Sequence, residues 1–121
     1  MNSAEKTQIA VDAALEVKAE DIVALDVKEL SSFADVFVVC TGRSDRQVRA
    51  IADSIEKAAK ERGEPPLGIE GYAEGRWVLI DLADVIVHVF TPETRAYYDI
   101  ERLWSDAPQL RVASGAEKAA P

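Results

Sequence analysis

A single α/β domain, built as a mixed β-sheet packed with helices, is the fold class that the sequence predicts. Residues 71–90, GYAEGRWVLIDLADVIVHVF, read as two consecutive strands around a polar turn, apolar on both sides and therefore in need of cover on both. Residues 48–59 place Val48, Ile51, Ala52, Ile55 and Ala59 at helical spacing. The chain has 121 residues, 48% of them hydrophobic, which suffices for one self-sufficient core.

The elements follow in order. Residues 7–17 form a helix with Ile9, Ala13 or Ala14, and Val17 on one stripe. Residues 22–27 (IVALDV) are a short strand. Ser31 and Ser32 interrupt the pattern, and residues 35–41 (DVFVVCT) make a more continuously apolar strand. Ser44 caps the next helix, with Gln47 three residues on as in a capping box and Asp45 at the positive end. Gly63 ends that helix in the left-handed conformation. Residues 64–68 (EPPLG) are a rigid connector. Two strands meet at Leu82-Ala83-Asp84, and Thr91-Pro92 opens a last, aromatic helix running through Trp104. The sequence order is α-β-β-α-β-β-α, with a domain over residues 1–106 and a small, polar C-terminal tail over 107–121.

In the first of the two late strands, alternation sends Trp77, Leu79 and Asp81 to one side and Val78, Ile80 and Leu82 to the other. The chain's helices can cover one face. A second face bearing Trp77 under little protein would be covered by a partner.

Charge narrows the class of that partner. The net charge is -8, and residues 64–106 hold much of the acidic excess. Counterion release from phosphate needs a dense basic face, and only Arg43, Arg46 and Arg49 gather near one helix start. A basic protein fits the acidic field around Trp77 better than bare RNA or DNA. Sequence-specific nucleic-acid binding is therefore not expected. No apolar run approaches the ~20 residues that span a bilayer, and MNSAEKTQ lacks the features of a secretory signal. With Cys40 as the one cysteine, no intrachain disulfide is available. A cytoplasmic protein without membrane contact is the expectation.

The candidate chemistry is thin. Thr41-Gly42-Arg43-Ser44 leads from strand to helix, where backbone amides can cradle phosphate, but one glycine falls well short of a phosphate-binding fingerprint. Nucleotidyltransferases follow such a turn with paired carboxylates. Here Asp53 and Glu56 stand three apart on a helix and cannot chelate one ion from a strand edge. Asp81 and Asp84 flank a turn without further ligands, so no metal site is expected, and a negative recognition surface suits them better. His88 lacks a nucleophile and acid to complete a triad, because Cys40 reads as buried. Trp104 reads as core. On the residues alone, Trp77 and Tyr98 suit an interface and a core equally well.

The blocks DIVALDV, SSFADVFVVCTGRSDRQVRAIAD, PPLGIEG, W-VLIDLADVIVHVF and YYDIERLW occur in an order and spacing that resemble the ribosomal silencing factor, or Iojap, family. The resemblance spans roughly residues 6–105. It implies a nucleotidyltransferase-like fold without catalytic carboxylates, hence no enzyme and no cofactor. It implies binding to the large ribosomal subunit through ribosomal protein fourteen, a basic protein on the face that meets the small subunit. Occupying that face would block subunit joining and repress translation under nutrient limitation. It also implies a homodimer when free. By position, Trp77 and Tyr98 match contact aromatics, and Asp81, Leu82 and Asp84 fall in the most characteristic block. The implied partner-binding set is thus two apolar anchors, an apolar contact at Leu82 and two aspartates for lysine or arginine. A nucleotide-binding or nucleotidyltransferase-like enzyme and a homodimeric scaffold are the competing expectations.

Overall fold

The computed structural model describes residues 1–111. Along the chain run α1 (Ser3–Glu16), β1 (Glu20–Asp26), β2 (Val36–Thr41), α2 (Asp45–Glu61), β3 (Gly68–Glu70), β4 (Trp77–Asp81), β5 (Val85–Phe90), α3 (Pro92–Tyr98), α4 (Ile100–Leu103) and β6 (Gln109–Leu110). They build a six-stranded sheet in the order β3-β4-β5-β2-β1-β6. The central pair β2 and β5 is parallel and the other pairs are antiparallel, so the sheet is mixed, as expected. Both central strands are buried at every position. That two-sided burial is why VFVVCT and VIVHVF are almost continuously apolar.

Capping fixes where the helices begin. α1 starts earlier than its apolar stripe because Asn2 and Glu5 form a capping box, with the Glu5 amide 2.9 Å from Asn2 Oδ1. Ser44 caps α2 by accepting the Gln47 amide at 3.1 Å. The Gln47 side chain, however, does not return to the cap residue. Its Oε1 accepts from the Arg43 amide, and its Nε2 donates to the carbonyls of Val17 and Lys18, joining the end of α1 to the start of α2. Gly63 takes the left-handed conformation after α2, at φ 76°.

Three features differ from the linear reading. The connector over residues 64–68 runs into β3, whose pairing with β4 is led by the Leu67 amide donating to the Asp81 carbonyl. The last helix breaks at Asp99, at φ 46°, a conformation that aspartate tolerates better than most residues. The domain also continues past residue 106. Ala107 is buried, the Asp26 amide donates to the Pro108 carbonyl, and β6 pairs with β1 through Leu110. The rest of the expected tail, residues 112–121, lies outside the described residues.

Strand alternation sorts the core into two sides. Val36, Val38, Cys40, Val78, Ile80, Val85, Val87 and Val89 face α1 and α2 in the main cluster. On the opposite face Leu25, Phe37 and Ile86 lie beneath Trp104 and Ala107, and Val39 and Phe90 beneath Ile100. The segment after β5 thus covers the β1–β2–β5 part of this second face. Over β4, Trp77 and Leu79 are only partly buried.

Candidate functional site

Trp77 begins β4 at the margin of the incompletely covered face. The loop before it is held by two glycines. Gly71 has φ 81°, and Gly75 has φ 68° and lies against the first turn of α2, where an added Cβ would sit 2.9 Å from the Asp45 carbonyl oxygen. Arg49 Nη1 donates to the Ala73 carbonyl, and the Arg76 carbonyl accepts from the Thr91 amide. Trp77 therefore emerges between the start of α2 and the start of α3. Its ring lies 5.0 Å from that of Phe90 and 4.8 Å from that of Tyr98, which meets Tyr97 edge-on at 5.0 Å. Tyr97, Tyr98 and Leu103 are 81%, 50% and 78% exposed. Exposed apolar side chains in contact, as Tyr97 and Tyr98 are, mark an interaction surface more often than isolated ones do.

Beside this aromatic group lies an open groove of about 730 Å³ that includes Asp45, Glu74 and Glu93 with Trp77, Tyr97 and Tyr98. Asp45 is partly engaged by Arg49 at 3.7 Å. Glu74 and Glu93 have no ion-pair partner among the described residues. Apolar anchors with unpaired carboxylates at the rim suit a basic partner segment, and one lysine or arginine can stack on an aromatic face while its charge meets a glutamate.

Of the five residues implied by the resemblance, Trp77 and Tyr98 come together and the other three lie elsewhere. Asp81 shares the face of Trp77 but sits at the far end of β4, roughly 13 Å along the strand, where its carboxylate accepts the Ala83 amide and stabilises the turn. Leu82 is 5% exposed and lies in the main cluster on the α1–α2 side, on the face opposite Trp77. Asp84, at the β4–β5 turn, pairs with Lys6 Nζ at 2.8 Å, an ammonium that also donates to the Leu82 carbonyl. That pair ties α1 to the β4–β5 turn. Glu74 and Glu93, neither of them in the set implied by the resemblance, are the carboxylates beside the aromatics. The signal available for Glu74 was its place in the Glu74-Gly75-Arg76 run just before Trp77.

Arg95 was missed entirely. Its Nε bonds Glu101 at 2.8 Å, and its Nη1 donates to the Asp21 carbonyl at 2.7 Å and to Thr41 Oγ1 at 2.8 Å. These bonds dock α3 and α4 against the ends of β1 and β2 and so fix where Tyr97 and Tyr98 project. Two of its partners lie 74 and 54 residues away in sequence, beyond any local pattern.

The site offers little reactive chemistry. Burial pushes the Cys40 thiol up to about 12, leaving it protonated at neutral pH. Asp53 accepts from the Tyr72 hydroxyl, and Glu56 pairs with Lys60 along α2. Among the described residues, no group of three potential metal ligands forms, and no helix is long and apolar enough to cross a membrane.

Burial lowers the His88 imidazole from 6.5 to about 4, so it is neutral at pH 7. The folded protein then binds fewer protons than the unfolded chain between these values. His88's contribution is therefore fully present above pH 6.5 and is lost as pH falls toward about 4. The expected loss is about 3 kcal/mol. Urea midpoints of wild type and His88→Leu across that window check it, because only wild type carries this part of the slope.

Comparison with known proteins adds the family context. A family model described as "Ribosomal silencing factor during starvation" matches residues 1–121. The ribosomal silencing factor RsfS of Halalkalibacterium halodurans is 49% identical over 112 residues, covering 93% of this chain and 96% of its own. A crystal structure of a Chromobacterium violaceum protein superposes with a TM-score of 0.86 at 42% identity, covering 98% of each chain. A more distant mouse protein, "Mitochondrial assembly of ribosomal large subunit protein 1", is 32% identical over 90 residues, covering 72% of this chain and 40% of its own.

Proposed function

Because the chain belongs to the ribosomal silencing factor family, we propose that it docks on the large ribosomal subunit and, by standing on the face that meets the small subunit, prevents subunit joining and represses translation. The carrying observation is the juxtaposition of Trp77 and Tyr98, 4.8 Å apart on an incompletely covered sheet face, with unpaired Glu74 and Glu93 beside them. The partner surface is that of ribosomal protein fourteen, a basic protein, so its lysines or arginines meet the glutamates while an apolar group or alkyl stem packs on the aromatics. An ordinary interface of about 800 Å² per partner is enough. The obstacle is the 13.2 kDa body itself, which needs no catalysis to act.

Self-association of the free protein belongs to the same reading, as a way of shielding the exposed aromatics when no subunit is present. The alternative nucleotide-handling enzyme gains no support from Asp53 and Glu56, which are committed to contacts along and beside α2.

The decisive experiment mixes purified large and small subunits with increasing amounts of the protein and follows monosomes by sucrose-gradient sedimentation. The expected result is a saturable fall in monosomes, with the protein comigrating with large subunits. Full monosome formation at saturating protein overturns the proposal.

A further inference from the structure

His88 lies where the covered and open parts of the second face meet, and simple packing does not require a histidine there. Its companions on that face of β5 are Ile86 and Phe90, and its cross-strand partners are Leu79 on β4 and Val39 on β2. The residue is 6% exposed, and its Nε2 has no hydrogen-bond partner among the described residues. A buried polar atom without a partner is a standing cost to the fold, which an apolar residue of similar size would avoid.

The other ring nitrogen accounts for it. Trp77 Nε1 donates to His88 Nδ1 at 3.1 Å. With Nδ1 accepting, the neutral imidazole carries its proton on Nε2, so the unpartnered atom is a consequence of serving the indole. The ring contacts of Trp77 do not set its orientation by themselves. They are tilted at 33° to Phe90, 47° to Tyr98 and 40° to His88, in a cluster open to solvent on one side. Ring packing is weakly directional, whereas an N–H···N bond is strongly so.

We propose that His88 is a positioning residue for docking: it accepts the indole proton of Trp77 and holds the ring where it forms one platform with Tyr98. This rests on the docking role proposed for Trp77. His88 itself, buried beneath the platform, touches no partner.

The test compares wild type, His88→Leu and His88→Asn. Asparagine can place an oxygen acceptor close to the position of Nδ1. Three quantities are measured: affinity for purified large subunits, thermal midpoint, and Trp77 emission in the free protein, recorded with Trp104→Phe to leave one indole. His88→Leu is expected to melt close to wild type, because it removes the unpartnered Nε2 but also leaves the Trp77 indole N–H without its acceptor. It is also expected to red-shift Trp77 emission and weaken subunit binding about tenfold. His88→Asn is expected to recover most of the emission and the affinity. In a Trp77→Phe background, His88→Leu should cost no further affinity, because the residue acts through the indole.

Wild-type emission and affinity in His88→Leu overturn the proposal, as does a binding defect that persists undiminished in the Trp77→Phe background. A lowered midpoint with parallel losses in both His88 variants assigns the residue to folding alone and also overturns it. If Trp77→Ala leaves subunit binding intact, the docking role of Trp77 fails instead. The emission comparison, made without a subunit, then still decides whether His88 orients the indole.

Discussion

Replacing Trp77 with alanine is expected to lower affinity for the large ribosomal subunit by about 2–4 kcal/mol, roughly 30- to 1000-fold. Tryptophan has that weight because it contributes a large apolar area with few rotatable bonds, and here packing on Phe90 and Tyr98 together with the hydrogen bond to His88 holds it in place before any partner arrives. The substitution also removes partly buried contacts with Phe90 and leaves Tyr98 without its neighbouring ring. Some of the loss will therefore reflect a loosened platform, and a lower thermal midpoint should accompany it. Cosedimentation with purified large subunits, at a temperature where the variant is folded, separates binding from unfolding. Equal retention of wild type and variant would remove Trp77 from the interface.

Gly71→Ala is expected to be the most damaging single-methyl change in the described structure. At φ 81° an alanine already costs about 1–2 kcal/mol relative to glycine. The added Cβ would lie 2.1 Å from the Trp77 carbonyl oxygen, a backbone atom that cannot turn aside as a side chain would. The start of β4 must therefore shift, and Trp77 with it. A destabilisation of at least about 2 kcal/mol in urea unfolding, with reduced subunit binding, is the expected outcome. Gly68→Ala is the internal control. Nothing lies within 4 Å of its added Cβ, so its midpoint should stay close to wild type. Wild-type stability in Gly71→Ala would show that the 71–76 loop does not hold Trp77 in the described way.

Both expectations depend on relations that are unequally visible in the chain. Alternation along residues 77–82 already sets Trp77 and Leu82 on opposite sides, and the sheet keeps them there: Leu82 joins the cluster under α1 and α2, while Trp77 stays at the margin of the other face. Closeness within one block of sequence is thus not closeness on one surface, because successive strand residues point to opposite faces. The short strands β3 and β6 escaped linear reading because two or three residues hold too little periodicity to signal a strand. Each is instead an edge partner of a longer neighbour, β4 or β1.

The sequence by itself determined the element types of the core, the Ser44 cap and Gly63 stop of α2, the acidic balance and the family. Those depend on local spacing, composition and order, which are present before the chain folds. Tertiary structure alone decided which charges and aromatics are available to a partner. Lys6 neutralises Asp84 from 78 residues away, Arg95 fixes α3 through Asp21 and Thr41, and His88 Nδ1 meets the Trp77 indole across two strands. Each of these depends on a distance set by sheet order and helix placement, and such distances do not exist along the unfolded chain.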